Sequence, residues 1–190
     1  IAVRAGSEAA AEAAMEKADE LMEASRTPTE EGGLQQPPKT LAAAVKRMED
    51  ANMVLISVAG RYAAGVAREA LAHGKHVFLF SDNVTVEDEK ALKEIGREKG
   101  LLVMGPDAGT AIINGVALGF ANAITPGPVG VVAASGTGLQ SVTSNLTRMG
   151  VGISQAIGTG GRDLSTDVGG IMMLEGLKAL QAHPETEVLL

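Results

Sequence analysis

The residues best suited to chemistry fall in short clusters of glycine and small polar types. Ser135-Gly-Thr-Gly138 follows the apolar run Val129–Ala134 and opens a stretch of helical periodicity. Glycines let the chain turn tightly and let an anion approach the backbone. A helix start offers unpaired N–H groups and the positive end of its dipole. With two hydroxyls as further donors, Ser135, Gly136, Thr137 and Gly138 are phosphate-binding candidates. The competing reading makes Thr137 a simple helix cap and the glycines a simple bend. No Lys follows the last glycine as in a Walker loop, and the full G-x-G-x-x-G dinucleotide fingerprint is absent.

A second cluster, Gly158-Thr-Gly-Gly-Arg-Asp163, carries Arg162, suited to pair with a carboxylate or phosphate. Its neighbour Asp163 is suited to orient that arginine or to cap the next helix. Gly160, Gly161 and Arg162, with Gly105, Pro106 and Asp107, are substrate-loop candidates. Ala59, Gly60 and Arg61, and then Ser81, Asp82 and Asn83, follow two further apolar runs. Asp82 or Asp107 is placed to meet a ribose or a metal, or only to shape a turn. His73 and His183 read as helix-end residues and His76 as the start of a strand. No histidine pair has metal-ligand spacing, so no metal site is expected. No Ser–His–Asp arrangement emerges, and the catalytic residue stays unassigned.

Alternating elements must position these corners. Ser7 caps an expected helix running to Ala24, and Ser25–Pro38 reads as a Pro- and Gly-rich linker. Thr40–Asp50 reads as a helix and Met53–Val58 as a buried strand. Ala63, Val66, Ala67, Ala70 and Leu71 mark one helix face. His76–Phe80 is a strand, Thr85 and Asp88 suggest a capping box, and Leu101–Met104 is a third strand. Residues 111–122 read as irregular or short strands. A second alternation follows: strand Val129–Ala134, helix Thr137–Met149, strand Ile153–Ile157, helix Thr166–Ala182, and a strand beginning at Glu187. Such alternation predicts α/β architecture with parallel pairing. In open parallel sheets ligands sit beyond the strand carboxyl ends, where every cluster above falls. A domain boundary is expected near Ile124. The opening Ile1–Arg4 resembles the tail of a strand and Glu187–Leu190 the start of one, as in a segment of a longer protein.

Composition narrows the function classes. Of 190 residues 45% are hydrophobic but only 2% aromatic, so the core is aliphatic and base-stacking surfaces are disfavoured. The formal charge of −7 argues against nucleic acid as a partner. Cysteine is absent, which excludes disulfides and thiolate metal sites. With no apolar run long enough to span a bilayer, a soluble cytoplasmic chain is expected.

The stretches "NMVLISVAGRYAAGVAREAL", "FSDNVTVEDE", "REKGLLVMGPDAGT", "GVVAASGTGLQ" and "GISQAIGTGGRDLSTDVGGI" resemble, in order, FdrA-type proteins of the superfamily of succinyl-CoA synthetase α-subunits and NDP-forming acyl-CoA synthetases. The resemblance covers roughly residues 40 to 190. It implies a Rossmann-like CoA-binding domain (residues 39–123), then a flavodoxin-like ligase domain (from 124), truncated at both ends, with residues 1–24 the tail of an N-terminal region. It implies CoA and phosphate as ligands, with Ala59, Gly60, Arg61, Ser81, Asp82 and Asn83 near CoA. Ser135–Thr137 would be the helix start that receives phosphate from a phosphohistidine loop. A small-molecule substrate and a partner subunit or homo-oligomer go with it. Two departures stand out. Ala108 replaces the usual Cys after Gly-Pro-Asp, and no histidine here matches the phosphohistidine. The family also implies an alternative, an oxamate carbamoyltransferase subunit turning oxalurate and phosphate into oxamate and carbamoyl phosphate. A third reading is a non-catalytic CoA- or nucleotide-binding module.

Overall fold

Short runs of two to eight mostly apolar residues form the strands. A computed structural model of the chain describes residues 5–26 and 37–190. The chain divides into two compact units, residues 1–38 and 39–190. In the first, α1 (Glu8–Arg26) begins where expected, with the Ala10 amide 3.3 Å from Ser7 Oγ, and continues past Ala24. The expected strand tail at Ile1–Arg4 and most of the expected linker lie outside the described residues.

The second unit opens with α2 (Leu41–Arg47), capped by Thr40, and β1 (Met53–Ile56). There follow α3 (Gly60–Ala72), β2 (His76–Leu79), α4 (Val86–Lys99) and β3 (Val103–Met104). Thr85 caps α4 by accepting from the Asp88 amide. The three strands form a parallel sheet in the order β1-β2-β3. Small residues on α3 (Ala63, Ala67 and Ala70, all buried) let the helix lie close on the sheet beside Leu71.

Next come β4 (Thr110–Ile113), β5 (Val116–Gly119), β6 (Pro126–Ala133), α5 (Gly136–Arg148), β7 (Ile153–Gly158), α6 (Ile171–Gln181) and β8 (Val188–Leu189). Their sheet runs β5-β4-β7-β6-β8. It is mixed rather than wholly parallel, because β4 runs antiparallel to both β5 and β7. Residues 111–122, expected to be irregular or short strands, contain most of a hairpin. Asn114 and Gly115 both have positive φ (49° and 77°), the pair a two-residue hairpin turn demands. β4 and β5 join the sheet of β6–β8, so the chain passes from one sheet to the other at residues 105–109. Phe78 and Met104 from one sheet share a core cluster with Val132 and Ile157 from the other, so residues 39–190 pack as one unit.

The expected helix from Thr166 starts only at Ile171. Gly169 and Gly170 hold φ values of 80° and 68°, which no right-handed helix passes through. Residues 161–168 instead form turns.

Candidate functional site

The carboxyl ends of β1, β2, β6 and β7 open on two cavities that meet. The first, of about 410 Å³, is lined by Ser57, Val58, Ala59, Phe80, Ser81, Asp82, Asp107, Gly109 and Phe120. The second, of about 470 Å³, is lined by Ala134, Ser135, Gly136, Thr137, Gln140 and Gly161, and again by Asp107, Gly109 and Phe120. Those three shared residues make the cavities two chambers of one groove.

Each corner is fixed by its own bonds. Ser81 is buried, and its hydroxyl accepts from the Val58 amide at 2.9 Å, tying the ends of β1 and β2 together. Its role is therefore a brace. Gly60 does not line the first chamber; a Cβ there would strike the carbonyl oxygens of Asp82 and Asn83, so glycine is what lets α3 start this close to the corner. Arg61 lies over the Tyr62 ring at 4.7 Å, and Asn83 takes a positive φ of 54°. Neither lines the chamber. Ala59, Ser81 and Asp82 do.

Gly105 and Pro106 lie beneath the groove rather than in it. The Gly105 amide donates to Thr159 O, and a Cβ on Gly160 would meet Pro106 O at 2.6 Å. The two glycine-bearing loops thus pack on one another, leaving Asp107 and Gly161 as their contributions to the lining.

The start of α5 differs from expectation. Ser135, not Thr137, is the cap residue: its Oγ accepts from the Gly138 amide at 3.1 Å, and its carbonyl accepts from the Leu139 amide at 2.9 Å. Gly138 therefore has no amide to give a ligand. The amides of Gly136 and Thr137, the first two of the helix, are those that no intrahelical bond can use. Both residues line the second chamber, next to the Ser135 and Thr137 hydroxyls, which are 3.4 Å apart. Gln140 is held with its Nε2 donating to Thr110 Oγ1 at 2.6 Å.

Arg162 does not point at this chamber. Its Nε is 2.9 Å from Glu89 Oε2, and its other arm donates to Val84 O at 2.8 Å. Glu89 belongs to a charged cluster the sequence reading missed. Lys93, fully buried, meets Glu89 Oε1 at 2.6 Å, Asp163 Oδ1 at 2.9 Å and Thr159 O at 3.0 Å, one partner for each of its three protons. Asp163 in turn accepts from the Met172 and Met173 amides and so caps α6. Two carboxylates and two cations balance, which suits burial of charge. The cluster clamps the loop after β7 to α4 and sets the position of Gly161.

The histidines serve the scaffold. His73 is the C-cap of α3. His76 Nδ1 accepts from the Leu102 amide at 2.9 Å, and burial holds its imidazole pKa below the ordinary value. His183 lies between Gln155 and Thr186, at 3.2 and 3.0 Å. Among the described residues no helix is long and apolar enough to cross a membrane.

Residues 125–190 match the family described as the CoA binding domain. The match takes in β6, α5 and the second chamber. The candidates Ala59–Arg61 and Ser81–Asn83 lie before it. The chain is 49% identical over 170 residues to "Uncharacterized protein YahF" of Escherichia coli K12, covering 90% of this chain and 33% of that protein. It is 32% identical over 148 residues to "Succinate--CoA ligase [ADP-forming] subunit alpha 2" of Archaeoglobus fulgidus, covering 75% of this chain and 50% of that one. Among solved structures, ATP citrate lyase from Methanothrix soehngenii, in complex with citrate and coenzyme A, aligns with a TM-score of 0.69 at 21% identity, over 80% of this chain and 26% of its own. That likeness shows a shared fold. The chain thus spans a third to a half of these curated relatives. In sequence the chain is similar to α-subunits of succinate–CoA and malate–CoA ligases, and the Rossmann-like α/β expectation holds.

Proposed function

We propose that this chain is the CoA- and phosphate-binding part of an acyl-CoA synthetase-like subunit of the succinyl-CoA synthetase α type, acting with a partner subunit. The observation that carries the reading is one groove joining the β1 and β2 corners to the start of α5, with the second chamber inside the CoA-domain match. A phosphoryl oxyanion suits the free amides of Gly136 and Thr137. Fixed dipoles aimed at such an oxyanion stabilise a transferring phosphoryl group without reorganising. Bound CoA would supply a thiol as acyl acceptor. The chain's own residues would orient it: Ala59 and Asp82 along the first chamber, Asp107 and Gly109 at the junction, Ser135 and Thr137 at the phosphate end. The succinate–CoA ligase named above is called a subunit, which supports a partner here too.

Within this reading, the FdrA-type assignment rests on the five quoted stretches, and Ala108, a buried methyl where the family carries a thiol, departs from it. The relatives described above favour a ligase ancestor over a carbamoyltransferase. Calorimetric titration tests the proposal. CoA and inorganic phosphate should each bind saturably and not exclude one another, whereas binding of carbamoyl phosphate without CoA would refute it.

A further inference from the structure

The chain contains three phenylalanines, and two of them meet where the two cavities share their lining. Phe80 and Phe120 pack edge to face, with ring centroids 5.4 Å apart and planes at 61°. Both line the first chamber, and Phe120 also lines the second. Phe120 is nevertheless 69% exposed. Its backbone is fixed: its amide donates to Gly109 O at 2.8 Å, directly after the strand β5. A rigidly mounted, solvent-facing ring contributes little to a core, so the fold does not account for it. Beside it the shared lining offers Gly109, which has no side chain, and Asp107. The shared lining is therefore apolar at Phe120 and acidic at Asp107. Asp107 repels an anion there, whereas Phe120 favours a slender uncharged segment.

We propose that Phe120 is a binding residue for the uncharged arm of an elongated ligand that occupies both chambers at once, the pantetheine arm if the ligand is CoA. This rests on the CoA reading above and adds to it a specific residue and a path. The nucleotide lies over the first chamber, the arm crosses the Phe120 ring, and the thiol end reaches the oxyanion held at α5. The neutral arm of the ligand, rather than its phosphates, meets the Phe120 ring beside the Asp107 carboxylate.

The test compares wild type, Phe120→Ala and Phe120→Leu by calorimetry, with CoA and with adenosine 3′-phosphate 5′-diphosphate, which lacks the arm. Thermal melting checks that each variant is folded. Phe120→Ala should weaken CoA binding about tenfold, the scale of one lost apolar ring contact, and leave the armless nucleotide within about twofold of wild type. Phe120→Leu, which restores apolar contact, should recover most of the loss. Equal CoA affinity in wild type and Phe120→Ala would overturn the inference while leaving the CoA reading intact. A loss as large for the armless nucleotide would also overturn it, by making the ring a nucleotide platform. Failure of wild type to bind CoA would bring down the CoA reading and this inference together.

Discussion

Lys93→Met is the most informative single perturbation of the scaffold. Methionine has nearly the length and volume of the lysine stem, so it leaves the packing of α4 almost unchanged and removes only the charge. Glu89 and Asp163 would then lie buried with Arg162 as their remaining cation, and Thr159 O would lose its donor. Removing one member of a buried ion cluster costs about 3–5 kcal/mol, because the charge left behind is uncompensated. Domain stability is itself only about 5–15 kcal/mol, so the loss is a large fraction of the whole. With a urea slope of about 2 kcal/mol/M, the unfolding midpoint should fall by about 2 M. The double variant Glu89→Gln/Lys93→Met should cost less than the two single costs added together, with a coupling above about 1 kcal/mol. Because Asp163 also caps α6 and the same loop carries Gly161, phosphate affinity should fall together with stability. A midpoint shift under about 0.5 M at unchanged slope, or strict additivity, would refute the claim that these charges are buried and mutually dependent.

Three further expectations follow. Ser135→Ala removes the hydroxyl that holds the Gly138 amide, so melting should report about 1 kcal/mol of lost stability, and calorimetry a weaker phosphate site; unchanged values in both would take Ser135 out of the account. Gly60→Ala forces a methyl onto the Asp82 and Asn83 carbonyls, and a cost of about 1–3 kcal/mol should appear in urea unfolding, with CoA affinity reduced; a neutral variant would mean the corner is looser than described. His76 is neutral in the fold because burial lowers its pKa, so its contribution is fully present above the unfolded value of about 6.5 and is lost as pH falls below that. Urea midpoints should drop less between neutral and mildly acid pH in His76→Gln than in wild type, and equal drops would contradict the assignment.

Much of this was legible because local signals agreed. Thr85 sits as the cap its spacing to Asp88 suggested, and the β1–β3 unit follows its apolar runs. The corner clusters proved to be neighbours because parallel strands deliver their carboxyl ends to one edge. Other features depend on tertiary partners. Glu89 and Lys93 are spaced i, i+4, a pattern common on solvated helix faces, and the loop from Thr159 to Asp163 packs over them. Their placement beside Leu92 and Gly96 on one face was the available sign. Asn114-Gly115 was an unread hairpin signal, and Gly169-Gly170 an unread helix boundary. Ser135 holds the cap that the competing reading gave to Thr137, because the helix begins one residue sooner, at Gly136.

Backbone amide NMR during phosphate addition puts the central claim most directly at risk. The amide resonances of Gly136 and Thr137 should move saturably, while that of Gly138, already donating to Ser135, moves least. Shifts that scatter over the surface without saturating, or that centre on Gly138, would contradict an oxyanion site at the start of α5.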